Sequence, residues 1–253
     1  MIHAISVKYS LLIGLGLTGT VQAAALSSPT FDGIQLAVCR IDLRQDQLRT
    51  FWRNPQGHPY ASLPALAAQL KPQGLQLVCA VNAGIYEQSL RPLGLYIEQG
   101  RTWREANPRT SGYGNFYMQP NGVFLVHAGR AEIVSTRAWL KRTDMQRAAV
   151  QYATQSGPLL LVDGKINPQF NPASRNKTVR NAVCVQDAQT VSLVTTGSPV
   201  SFYPFAKLLQ QRLGCQSALY LDGAISTFYP APFLTPQVQL GPMLGVVAPV
   251  SPP

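Results

Sequence analysis

Apolar residues in this chain fall mostly in short runs bounded by Gly, Pro, Asn and Asp, the pattern of strands closed by turns. Residues 34–43 form one such run, with 48–52 as its candidate hairpin partner. Residues 75–83 form a continuous apolar run that ends in Asn82-Ala83-Gly84. Residues 93–97 and 102–103 flank Glu98-Gln99-Gly100-Arg101 and predict a hairpin. Residues 116–118 and 123–127 flank Pro120-Asn121-Gly122 and predict another turn, while 159–162 run into the hairpin signal Asp163-Gly164. Residues 191–195, 218–221 and 241–248 complete the expected strands. Two stretches follow helical spacing instead. Residues 62–70 open on Ser62 with Pro64 in the first turn, and 202–213 carry Phe202, Phe205, Ala206, Leu208, Leu209 and Leu213 ahead of Gly214. Residues 167–178, rich in Asn, Pro, Ser and Lys, read as a loop. Many strands, few helices and no regular alternation predict one α+β domain over 30–250, a mixed β-sheet core flanked by a few helices.

The first 23 residues stand apart. Lys8, an apolar stretch over 11–21 and the small residues of Val21-Gln22-Ala23 read as a secretory signal cleaved near Ala23. The stretch is short of the roughly 20 residues that span a bilayer, and an uncleaved anchor is the alternative. The expected address is periplasmic or secreted, with no membrane span after cleavage. Charged residues make up 13% of the chain against a usual ~25%, with ordinary apolar content, which excludes a disordered chain. The formal net charge is +10, and in an exported protein it favours anionic carbohydrate partners, small or polymeric, over nucleic acid.

Four cysteines, Cys39, Cys79, Cys184 and Cys215, allow three pairings, and all sit in apolar surroundings where free thiols and disulfides are both open readings. Cys184 and Cys215 lie in or beside strands that lead to candidate site segments, so a bridge or contact between them is expected. There is no C-x-x-C, no P-loop and no G-x-G-x-x-G. Only His58 and His127 remain after processing, which disfavours Ser-His-Asp catalysis and a zinc site; neither metal nor cofactor is expected.

Eleven acids narrow the chemistry further. Glu98, like Asp32, Asp46, Asp144, Asp187 and Glu132, falls in a turn or surface-like segment, and Asp42 ends a strand facing Arg44. Two acids have suggestive settings. Asp222 follows the apolar run Ala218-Leu219-Tyr220-Leu221 and precedes Gly223, and a carboxylate at such a mouth is either held by hydrogen bonds or used. Glu87 follows a second run that breaks into a glycine turn, Val81 to Tyr86, and the two mouths are expected to share a rim. Arg180-Asn181 sets a guanidinium and an amide at a third strand mouth, and Gln155-Ser156-Gly157-Pro158 precedes a fourth strand.

The segments V-N-A-G-I-Y (81–86), G-L-Y-I-E-Q-G (94–100), G-N-F-Y-M-Q-P-N-G-V-F (114–124), Q-S-G-P-L-L (155–160), V-R-N-A-V (179–183) and L-Y-L-D-G-A-I-S (219–226) occur in this order. Together they resemble the bacterial phosphodiester glycosidase family, related to the lysosomal enzyme that uncovers mannose 6-phosphate. The resemblance runs roughly from residue 34 to 247. It implies a pocket holding Asn82, Gly84, Ser156, Gly157, Arg180, Asp222, Gly223 and Ser226, beside Asn181. It departs at Ala224-Ile225, where the family often has further glycines, and at Cys184, where a glycine is frequent. The implied reaction cleaves a sugar C1–O bond in a sugar-1-phosphodiester. Asp222 is then base or nucleophile, Arg180 grips the phosphate, Asn82 and Ser226 orient hydroxyls, and Glu87 is the candidate second carboxylate. Two other readings stand beside it: a non-catalytic envelope carbohydrate-binding protein of the same fold, and a glycosidase acting on non-phosphorylated bonds.

Overall fold

The computed structural model describes residues 24–233 and 238–250; the expected signal segment lies outside the described residues. The class is α+β, as expected, with the strands divided among three sheets and every described strand pair antiparallel. The largest sheet runs in the order Ala25–Ser27, Ile34–Asp42, Thr190–Thr196, Asn181–Val185, Ser217–Tyr220, Leu159–Val162, Lys165–Ile166, with Thr30–Phe31 on Ile34–Asp42. A five-stranded sheet orders Arg101–Arg104, Tyr96–Glu98, Tyr152–Ser156, Gly122–His127, Arg130–Ser135. A four-stranded sheet orders Phe228–Tyr229, Leu75–Asn82, Met243–Pro249, Gln47–Phe51.

The continuous apolar runs have a simple cause: their strands are covered on both faces. In Ile34–Asp42, Ala37, Cys39 and Ile41 enter a central core shared with Cys79, Val81 and Leu244 of the four-stranded sheet. Leu36 and Val38 point the other way, onto Phe205, Ala206 and Leu209 of the Phe202–Leu213 helix. That helix ends at Gly214, whose φ of 68° suits glycine, and the Leu63–Leu70 helix starts where Ser62 accepts from the Ala65 N–H at 3.2 Å. No described helix is long and apolar enough to cross a membrane.

Two disulfides staple this arrangement. Cys184–Cys215 ties the largest sheet to the chain just past the 202–213 helix, in the expected pairing, and Cys39–Cys79 joins the largest sheet to the four-stranded one. They close loops with sequence separations of 31 and 40, and removing either bridge costs about 2–5 kcal/mol.

Three local expectations are corrected. Gln47–Phe51 pairs with Met243–Pro249 rather than with Ile34–Asp42. The Asp42 carbonyl accepts from both Gln45 N and Asp46 N, so the chain turns out of one sheet and enters another. Residues 115–117 form a short helical turn, and Gly122–His127 pairs instead with Arg130–Ser135 through Ala128-Gly129. Ala128 sits there at φ 45°, a conformation its side chain does not advertise. Glu98, expected at the surface, lies where the five- and four-stranded sheets meet, and its carboxylate accepts from Tyr96 Oη at 2.6 Å. Burial pushes it up to about 7, the Tyr96 and Trp52 hydrogen bonds only partly opposing this.

Candidate active site

Four of the expected segments converge at the strand mouths. Asn82, fully buried, ends the Leu75–Asn82 strand, and its Nδ2 donates to the Asp222 carbonyl at 2.6 Å. Its Oδ1 accepts from Asn181 Nδ2 and from Thr227 N, both at 2.9 Å. Asn181 Nδ2 also reaches the Asn82 carbonyl at 2.9 Å. Asp222 N in turn donates to the Ala83 carbonyl at 3.1 Å. Two amides thus hold the backbone of three segments, and this places the half-buried Asp222 residue at their junction.

The fourth segment is fixed by backbone contact. Gly84 lies so close to Thr154 and Gln155 that a Cβ would overlap both, and Gly157 is pressed in the same way against Asn121 and Phe116. The Pro158 carbonyl accepts from Tyr220 N at 3.0 Å, tying the 155–158 turn to the strand that delivers Asp222. Gln155 spends its amide on protein: Oε1 takes Leu95 N and Asn107 N, while Nε2 serves the Asn107 carbonyl and Thr136 Oγ1. Its neighbour does the opposite. Ser156 Oγ, Asn181 Oδ1 and Thr195 Oγ1 are buried with no hydrogen-bond partner among the described residues. Buried polar atoms are normally satisfied, so such a group marks a place where a ligand or water completes the set. Asn181 and Thr195 are cross-strand partners, so their side chains share the face toward Asn82.

Two phenols that the sequence did not single out feel the Asp222 charge. Tyr86 is held up at about 12, first by burial and then by the Asp222 charge; its hydroxyl donates to the Gln239 carbonyl at 2.5 Å. Tyr220 is raised too, mainly by burial, with Arg180 opposing and Asp222 adding. Gly223 packs directly under the Tyr220 hydroxyl, where a Cβ has no room.

Arg180 is inside the protein, 1% exposed. Its Nε donates to the Val200 carbonyl at 3.0 Å, Nη1 to Tyr220 Oη at 3.1 Å and Nη2 to the Asn176 carbonyl at 3.1 Å, with the guanidinium 3.8 Å over the Phe202 ring. Three of the five donors of the fork expected to grip a phosphate go to protein acceptors, one of them Tyr220 Oη, a group that also feels the Asp222 charge. Ser226 turns back on its own loop, its Oγ donating to the Gly223 carbonyl at 3.0 Å, while Thr227 makes the contact with Asn82. Glu87 stands outside the amide knot. Arg104 and Arg91 pair with its carboxylate at 2.9 and 3.2 Å, on the wall of a cavity of about 460 Å³ that includes Asn107, Arg109 and Tyr117.

Tyr220 and Thr227 escaped the sequence reading because nothing local marks them. Tyr220 reads as one more apolar strand position, although its place two residues before Asp222 puts it on the Arg180 side of the sheet. Thr227 directly follows a motif serine.

Comparison with known proteins bears on the fold and the family. A protein of Escherichia coli strain K12, the uncharacterized protein YigE, is 35% identical over 205 residues, covering 81% of this chain and 77% of its own. The catalytic domain of zebrafish N-acetylglucosamine-1-phosphodiester alpha-N-acetylglucosaminidase, solved in a form auto-inhibited by its pro-peptide, superposes with a TM-score of 0.57 at 16% identity, over 91% of this chain and 85% of that one. A hypothetical protein from Synechocystis gives 0.56 at 18% identity; the match covers 88% of this chain but only 61% of the Synechocystis chain. A putative exported protein of Burkholderia pseudomallei gives 0.57 at 12%, over 84% and 74%. The structures share the fold. Residues 76–237, which hold Asn82, Ser156, Arg180, Asn181 and Asp222, match the sequence model of one family, and on that match this chain belongs to the phosphodiester glycosidases.

Proposed function

We propose that this protein is an exported hydrolase that cleaves the C1–O bond of a sugar-1-phosphodiester, releasing the sugar and a phosphomonoester. The observation that carries the reading is the Asn82–Asn181–Asp222 knot, which sets one carboxylate-bearing residue among buried amides, with Ser156 Oγ and Asn181 Oδ1 left without partners among the described residues. Asp222 supplies the carboxylate, as base toward a water or as nucleophile at C1. Cleaving an ordinary glycoside calls for a second carboxylic acid to protonate the leaving oxygen. A phosphomonoester needs less help, because its second pKa is about 6. One carboxylate with buried hydroxyl and amide partners therefore suits this leaving group. Ser156 Oγ and Asn181 Oδ1 take sugar hydroxyls, Gly84, Gly157 and Gly223 hold the walls close, and Asn82 and Ser226 position the loop. Arg180 acts through Tyr220, keeping the phenol and the Gly223 turn in place and lending positive charge. Glu87, braced by two arginines, anchors the rim.

Export is supported by the residue 1–23 pattern and by two disulfides, which persist in oxidising compartments. Purified protein incubated with a sugar-1-phosphodiester and with the matching chromogenic glycoside tests the activity. Release of phosphomonoester from the first alone is the expected result. Binding without release favours the carbohydrate-binding reading, and equal cleavage of both substrates favours an ordinary glycosidase.

A further inference from the structure

Away from the candidate active site, Asp46 is a half-buried carboxylate that belongs to no ion pair among the described residues. Its neighbour Asp42 is taken by Arg44, whose Nη2 lies 2.6 Å from Asp42 Oδ2. Among the described residues Asp46 has two backbone donors: Asp42 N at 2.8 Å on Oδ2 and Ala24 N at 3.1 Å on Oδ1. Burial and the charge of Asp42 raise its pKa, the state of a carboxylate short of positive charge. Ala24 is the residue directly after Val21-Gln22-Ala23, where the leader reading places the cut. Around it lies a cavity of about 320 Å³ lined by Ala24, Ala25, Arg40, Asp42, Arg44 and Asp46, with room for a cut and hydrated chain end.

We propose that cleavage between Ala23 and Ala24 creates the cation that Asp46 lacks, the new α-ammonium of Ala24 pairing with the Asp46 carboxylate. Water adds across the peptide bond under a signal peptidase: Ala23 leaves as a carboxylate, and the Ala24 nitrogen gains protons to become an ammonium. The neutral amide donor at 3.1 Å becomes a charge-assisted one on the same carboxylate. The edge strand Ala25–Ser27, which pairs with Val38, Cys39 and Arg40, is thereby pinned by the residue directly before it. Processing then completes the fold as well as releasing it. This inference rests on the leader reading and is independent of the catalytic assignment.

Export of the full chain followed by N-terminal sequencing is expected to return Ala24 first. The mature protein is then compared with one carrying Gly-Ser ahead of Ala24, each with and without Asp46→Asn. In the Ala24-first protein the substitution is expected to lower Tm by about 3 °C, and in the extended one by less than about 1 °C. The α-amine of the Ala24-first protein should titrate above the ordinary range of about 7.7–8.0 and return to it in Asp46→Asn. A different first residue, an uncut chain, equal Tm losses in both backgrounds or an unshifted amine each overturns the inference. Phosphodiester turnover enters none of these readouts, so loss of the catalytic reading leaves them standing.

Discussion

The Asp222 mouth and the Glu87 turn look alike in sequence and differ in the folded protein. Each acid follows an apolar strand that breaks into a glycine turn. Glu87 is met by Arg91 and Arg104, partly exposed guanidiniums that neutralise it. Asp222 is met by amides that hold its backbone and by two phenols, Tyr86 and Tyr220, that feel its charge. An ion pair in water fixes a turn at little net gain. A half-buried carboxylate whose backbone is held by buried amides is positioned at a cost, and such cost is usually retained where chemistry is done. The lesson is that a shared local pattern does not imply a shared role. Neighbours from distant parts of the chain decide it.

The largest expected effect breaks this comparison if it is absent. Asp222→Asn keeps size and one acceptor but removes the base or nucleophile, so turnover of a sugar-1-phosphodiester should fall about a thousandfold, with Tm unchanged within a degree or so. Parental turnover in a normally melting variant would remove Asp222 from the mechanism. Arg180→Lys is next. One ammonium cannot serve the Val200 carbonyl, Tyr220 Oη and the Asn176 carbonyl together, leaving buried acceptors unpaired at about 1–3 kcal/mol each. Turnover should drop about tenfold and Tm by roughly 5 °C or more; a parental melting curve would show those three contacts to be idle.

Glu98 sharpens the comparison as a carboxylate that is buried but far from the amide knot in its contacts. Its pKa in the folded protein is about 7, above the ordinary 4.5, so the folded state holds a proton that the unfolded chain has released. Its contribution is present below about pH 4.5 and is lost as pH rises through about 7. Tm measured from pH 5 to 8 should therefore fall more steeply in the parent than in Glu98→Gln. Matching slopes would show that the group does not titrate in that window. Glu87→Gln should be mildest, with turnover within about threefold and less than 1 kcal/mol of stability lost, as for exposed pairs. A hundredfold loss of turnover there would restore Glu87 as a second carboxylate.

Much of the architecture was legible because burial leaves its period in the sequence. The helices at 63–70 and 202–213, the strand Leu75–Asn82 and the Asp163-Gly164 hairpin follow from apolar spacing and from residues that suit caps and turns. The Cys184–Cys215 pairing was legible as well, since both cysteines border segments that lead to one place. Partners of strands were not. Gln47–Phe51 and Met243–Pro249 are nearly two hundred residues apart, and their pairing depends on which edge of which sheet remains open.

The same division runs through the site. By itself the sequence determined the family, the acid and amide set of Asp222, Asn82 and Asn181, and the glycines where backbones meet. Residue type and order carry that information directly. Only the tertiary structure decided that Arg180 donates to three protein acceptors, that Tyr220 feels both Arg180 and Asp222, that Glu87 is paired with two arginines, and that Glu98 is buried. Each of these depends on the solvent and charge around an atom, set by side chains from other sheets and loops, and no local pattern records such neighbours.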